Sequence, residues 1–71
     1  MLLANRIKQI REAYGLTQLE VAAKINISAS AYGQIERRAG TSSFDTLQKI
    51  ADAIGVTLPY LVDLKNPCFK E

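Results

Sequence analysis

The chain has 71 residues, a formal net charge of +2, an apolar fraction of 48%, one cysteine and no histidine. That length suits a single domain near the lower limit for one core, and the apolar fraction is near the globular average, so disorder is excluded. A lone Cys68 cannot close an intramolecular disulfide, and without histidine there is no metal-ligand cluster. The support left to so small a domain is regular helix packing, helped by a partner subunit.

Met1-Leu2-Leu3-Ala4 is too short for a signal-peptide core, and no apolar run approaches the length of a membrane span. A cytoplasmic protein is expected, in keeping with a single unpaired thiol. The absence of histidine, of an activated nucleophile and of cleft-forming length argues against an enzyme, and no cofactor is expected. The charge is unevenly spread. Residues 1–43 hold Arg6, Lys8, Arg11, Lys24, Arg37 and Arg38 against Glu12, Glu20 and Glu36, whereas residues 44–71 are slightly acidic. A basic first half suits a phosphate-facing surface.

The periodicity predicts about five helices and no strand. The first covers roughly residues 4–14, with Ile7, Ile10 and Tyr14 on one face and Gly15 as its stop. Thr17-Gln18-Leu19-Glu20 has the form of a capping box and opens a second helix at 18–25. Asn26 suits a left-handed stop. Ser28 caps a third helix over 29–37, with Tyr32 and Ile35 turned inward. A fourth begins after Ser43, with Phe44, Leu47, Ile50, Ala51 and Ile54 as its core stripe, and stops at Gly55. Thr57 caps a short last helix whose first turn accepts Pro59, because the amides there have no helical partner. Residues 1–65 thus form one domain, and 66–71 read as a C-terminal tail. Two helices as short as the second and third, joined by so tight a turn, must pack across each other and present the third as a probe.

These residues carry a family resemblance. The run Arg11-x-x-x-Gly15-Leu16-Thr17-Gln18-x-x-Val21-Ala22-x-x-Ile25-Asn26-Ile27-Ser28, followed by Tyr32-Gly33-Gln34-Ile35-Glu36, resembles the Cro/repressor-type (XRE-like) helix-turn-helix family. Ser43, Leu47, Lys49-Ile50-Ala51 and Ala53-Ile54-Gly55-Val56 look like its closing helices. The resemblance spans roughly residues 6–64. It implies an all-α, five-helix domain of the lambda-repressor-like type that binds double-stranded DNA. It further implies a homodimer joined through the last helix, which sets two probe helices one DNA turn apart, ~34–36 Å. No small-molecule ligand is implied.

The expected DNA-facing set is Gln18, Ser28, Ala29, Ser30, Gly33, Gln34, Arg37, Arg38 and Thr41, of which the resemblance implies Gln18 as a phosphate contact and Ala29, Ser30, Gly33 and Gln34 as the reading positions. Gln18 lies at the positive end of the second helix, a natural phosphate site, and in the family it also buttresses the probe helix. Among the reading positions, Ala29 offers a methyl, Ser30 a hydroxyl and Gly33 only its backbone. Gln34 can make the bidentate adenine contact, worth ~1–3 kcal/mol of discrimination. The alternative for Ser30 and Gln34 is a solvated helix face.

Gly33 departs from the serine or asparagine usual in the family. A mid-helix glycine costs ~1 kcal/mol against alanine, so close approach to the groove or to the second helix is expected to compensate. Arg38 replaces the family's usual glycine and Ser42 its proline, so the helix is expected to run on slightly and turn at Ala39-Gly40. Arg37, Arg38 and the hydroxyls of Thr41, Ser42 and Ser43 then make a phosphate-gripping segment, with a guanine edge for either arginine or a solvated loop without a role as the alternatives. The resemblance pairs Glu36 with Arg11 as an orienting ion pair. Leu58, Leu61, Leu64 and Phe69 are core or dimer interface, and Leu19 is an extra apolar residue at a normally exposed position.

The reading that follows is a sequence-specific transcriptional regulator, of repressor type, on a palindromic operator. Phage-type repressors, restriction–modification controllers and antitoxins share this size. The alternative is a protein-interaction or antitoxin-like module with weak DNA binding.

Overall fold

The computed structural model describes residues 2–63, and the tail and the positions of Leu64, Cys68 and Phe69 lie outside the described residues. Five α-helices follow one another: α1 Leu2–Ala13, α2 Gln18–Lys24, α3 Ala29–Arg37, α4 Phe44–Ile54 and α5 Leu58–Val62. A 3-10 turn, Ala39–Thr41, separates α3 from α4. All five expected helices are present, and the start of α1 lies two residues earlier than the periodicity suggests.

Each boundary has a local cause. Gly15 takes φ 73° and Gly55 φ 98°, left-handed values that side chains rarely adopt, and each ends its helix. Asn26 does the same at φ 62°, where the amide of Ile27 donates to the carbonyl of Ala22 at 3.0 Å. It is the non-glycine residue best suited to that conformation. Thr17, Ser28, Ser43 and Thr57 each accept a first-turn amide through the side-chain oxygen, at the starts of α2, α3, α4 and α5 respectively.

The core is built from Ile7 and Ile10 of α1, Val21 and Ala22 of α2, Tyr32 of α3, Ile50, Ala51 and Ile54 of α4, and Leu61 of α5. α2 packs most closely on α3, while α1 touches α3, the 3-10 turn and α5. Ala39 is fully enclosed, so the residue after the α3 cap must be small. Lys24 donates to the carbonyl of Ala53 at 3.2 Å and ties the end of α2 to the end of α4.

Phe44 corrects the expected core stripe of α4, since 69% of it is exposed. It is the first residue after the Ser43 cap, and a helical side chain tilts toward the N-terminus. Phe44 therefore points off the end of the core, and the apolar stripe begins one turn later at Leu47. Leu19 stands exposed, as its position implies. Arg6 is buried on α1, where Nη2 donates to the carbonyl of Tyr60 at 2.7 Å and the guanidinium lies 4.8 Å from the Tyr60 ring centre. This cation–π clasp docks α5 on α1. Among the described residues no helix is long and apolar enough to cross a membrane.

Candidate nucleic-acid interface

The second and third helices meet through a buried polar cluster. Nε of Arg11 donates to Oε2 of Glu36 at 2.9 Å and Nη2 donates to Oε1 at 3.2 Å, a two-pronged pairing of a planar guanidinium with a carboxylate. The Tyr32 hydroxyl donates to Oε2 at 2.7 Å, and Nε2 of Gln18 donates to Oε1 at 3.3 Å. Arg11 also donates to the carbonyl of Leu16 at 2.8 Å, which fixes the turn into α2. One carboxylate thus binds α1, α2 and α3 together.

Burial alone would raise the Glu36 pKa. The hydrogen bonds from Arg11 and Tyr32, the Arg11 charge and the Gln18 amide outweigh it, so the carboxyl stays below its ordinary value. Arg11 shows the same contest: burial disfavours its charge, and the Glu36 bond and charge reverse the effect. Burial, then the neighbouring carboxylate, holds the Tyr32 hydroxyl protonated far above the usual phenol range. The ion pair expected from the resemblance is therefore present, and Tyr32 and Gln18 join it. Tyr32 was legible only as an inward-facing residue, and its spacing of four from Glu36 was the available signal.

With Tyr32 and Glu36 committed inward, helical spacing turns Ser30, Gln34 and Arg37 outward, and all three are exposed. Arg38 is exposed as well, but sits further round, lining a notch with Ala31, Gln34, Ile35, Thr41 and Ser42. Ser28 lies at the head of α3, where its oxygen accepts the amide of Ala31 at 3.0 Å. Ala29 is half-buried at the edge facing α2. Gly33 lies beside Gln18: a Cβ built there would stand 3.4 Å from Oε1 and 3.6 Å from Nε2, ordinary contact distances.

Gln18 occupies the first turn of α2, whose leading amides lack partners within the helix. The capping box is complete, with Glu20 accepting from the Thr17 amide at 2.8 Å and Thr17 from the Glu20 amide at 3.1 Å. The backbone and side-chain bonds to Thr17 lower the Glu20 pKa. Lys8, not singled out from the sequence, lines the same surface concavity as Gln18 and Ala29. Its spacing of three from Arg11 was the clue.

In the segment after α3, the helix ends at Arg37 with Arg38 as its cap, and the 3-10 turn follows. The Thr41 and Ser42 hydroxyls both donate to the carbonyl of Arg38, at 3.0 and 3.3 Å. Ser43 caps α4 and shares a hydrogen bond with the Thr46 hydroxyl at 2.9 Å. These hydroxyls hold the turn in shape, and their bonds leave the arginines as the cationic donors on this side. Among the described residues no group of three or more His, Cys, Asp or Glu side chains is placed to hold a metal ion.

The helix-turn-helix family model matches residues 7–61, most of the chain. An immunity repressor of Bacillus phage phi105 is 39% identical over 62 residues, 87% of this chain and 43% of the relative. The HTH-type transcriptional regulator ImmR of Bacillus subtilis (strain 168) is 36% identical over 62 residues, 87% of this chain and 49% of its own length. An uncharacterized HTH-type transcriptional regulator of the same strain, YobD, is 32% identical over 62 residues, again 87% of this chain and 55% of the relative. The chain spans about half the length of these curated relatives. No solved structure matches at a significant level. With α2 and α3 in the helix-turn-helix arrangement and the family match extending from α1 into α5, the chain belongs to the helix-turn-helix family of Cro/repressor-type DNA-binding regulators.

Proposed function

We propose that the chain is the operator-reading part of a transcriptional repressor that works as a homodimer on a palindromic DNA site in the cytoplasm. α3 enters the major groove, Ser30 and Gln34 meet base edges, and Ala29 and Gly33 allow the helix backbone to lie close to the groove floor. Gln18, Ser28, Arg37, Arg38 and Thr41 surround that face, with Gln18 and Arg38 on backbone phosphates. The observation that carries this reading is the division of α3. Its inner residues are locked by the Arg11–Glu36 cluster, while the polar groups of Ser30, Gln34 and Arg37 face solvent with no hydrogen bond or ion pair to the described residues.

A second copy docks through α5, where Leu58, Tyr60 and Val62 remain half-buried on the free domain. Repression is by occupancy of a promoter, with no chemistry performed.

Selection from random duplex DNA at moderate salt tests the proposal. Enrichment of an inverted repeat with half-sites one helical turn apart is the expected result. Weak, salt-sensitive retention without any enriched sequence would overturn it and favour a module that binds protein instead.

A further inference from the structure

Arg37 and Arg38 are adjacent in sequence, but the end of α3 sends them to different places. Arg38 caps the helix and lines the notch beside Thr41 and Ser42. Arg37 is the last residue of the helix proper, three positions from Gln34 and seven from Ser30, and so continues the outward face that those two begin. Its side chain is exposed and makes no hydrogen bond or ion pair with the described residues.

The residue one turn before it is Gly33. This glycine has helical backbone angles, and a methyl there would make only ordinary contact with Gln18. Neither backbone conformation nor packing inside the chain demands glycine, although glycine weakens a helix interior. Its effect is outward. A long helical side chain leans back over the preceding turn, about 5.4 Å toward the N-terminus. For Arg37 that turn carries no side chain at position 33, and Ala29 and Ser30 beyond it are small. The Gln18 side chain borders position 33 on the α2 side, 3.4 Å from where a Cβ would stand, so an Arg37 side chain that leans back toward Ser30 passes along the solvent side of Gly33.

We infer that Arg37 is a base-reading residue that makes the two-pronged contact to O6 and N7 of a guanine in the operator, whereas Arg38 holds phosphate. This rests on the DNA-binding reading above and deepens it, because it adds a guanine-specific donor to a face otherwise limited to Gln34 and Ser30. Arginine is suited to this contact by its planar fork, which lysine lacks.

The test uses the duplex selected by the wild-type chain, with binding measured by fluorescence anisotropy across a salt series. Replacing one guanine by 7-deazaguanine, which lacks the N7 acceptor, is expected to weaken wild-type binding roughly tenfold and to leave Arg37→Ala unaffected. Arg37→Ala and Arg37→Lys are expected to lose preference at that base pair alone, the lysine variant with the salt dependence unchanged. The inference is overturned if Arg37→Ala weakens every duplex alike and lowers the salt slope by about 1, since that marks a phosphate contact. It is also overturned alone if the operator is sequence-specific but no guanine responds to Arg37. Absence of any preferred sequence in the wild type would sink both this inference and the DNA-binding reading.

Discussion

On its inner face α3 presents Tyr32 and Glu36, both buried and both hydrogen-bonded within a cluster that spans three helices. On its outer face the side chains of Ser30, Gln34 and Arg37 stand in solvent and bond to none of the described residues. The same nine-residue helix thus carries two kinds of polar group. Those inside set its orientation relative to α1 and α2. Those outside can change with almost no consequence for the fold, which is the property a sequence-reading surface needs. Stability and recognition are therefore separable on a helix too short to be stable alone.

The largest effect belongs to the inner face. Glu36→Ala leaves the Arg11 guanidinium buried without its carboxylate and removes the acceptor for Tyr32 and Gln18. A loss of about 3–5 kcal/mol is expected, measured by denaturant unfolding, because breaking one side of a buried pair strands the other charge. The double variant Arg11→Met with Glu36→Leu should recover part of that loss, since no stranded charge remains. If Glu36→Ala unfolds at nearly the wild-type midpoint, the cluster does not anchor α3.

The same carboxylate gives the protein an acid-sensitive margin. Glu36 and Glu20 both have pKa values lowered in the folded state. A depressed carboxyl contributes stability that is present above its unfolded value, near ~4.3, and is lost as pH falls through the folded value. Unfolding midpoints should therefore hold between neutral pH and about 5, then decline as the pH falls below ~4.3. The decline should be shallower in Glu36→Gln, which has no such proton to take up. An equal decline in both would assign the acid sensitivity to other groups.

Asn26 tests the hinge between the two faces' supporting helices. Alanine in its left-handed conformation should cost about 1–2 kcal/mol, while glycine should be neutral or slightly stabilising. Thermal midpoints of the two variants decide it. If alanine is tolerated as well as glycine, the turn has relaxed to another geometry.

Much of this arrangement was legible in the sequence, because helix ends are written locally. Thr17, Ser28, Ser43 and Thr57 announce starts through short hydroxyl side chains, and Gly15, Asn26 and Gly55 announce stops through their tolerance of positive φ. The Arg11–Glu36 pair and a Gln18 contact to the probe helix came from the resemblance, whereas the Tyr32 bond and the choice of Glu36 as Gln18's acceptor did not. Whether a buried tyrosine or a first-turn glutamine reaches a given carboxylate depends on how helices cross, which no local pattern records. Arg6 was missed for the same reason, since its partner Tyr60 lies 54 residues away. Phe44 misled because periodicity identifies a face but not where the core beneath that face ends. Arg37 and Arg38 could not be separated until the last helical residue was known, because each further residue turns the side chain by about 100°.

The smallest expected change in stability is also the one that most sharply divides the two faces. The Gln34 side chain is exposed and bonds to none of the described residues, so Gln34→Ala should leave the unfolding free energy within about 0.5 kcal/mol of wild type. Alanine is, if anything, the better helix former. On DNA the expectation is different: preference for adenine at one operator position should fall by ~1–3 kcal/mol, with affinity for unrelated duplexes nearly unchanged. The two measurements together separate the possible faults. A variant that is less stable would show that the outer face supports the fold after all. A variant that is stable but keeps its base preference would show that Gln34 is not the reader, and would move the burden of specificity onto Ser30, Arg37 and the backbone at Gly33.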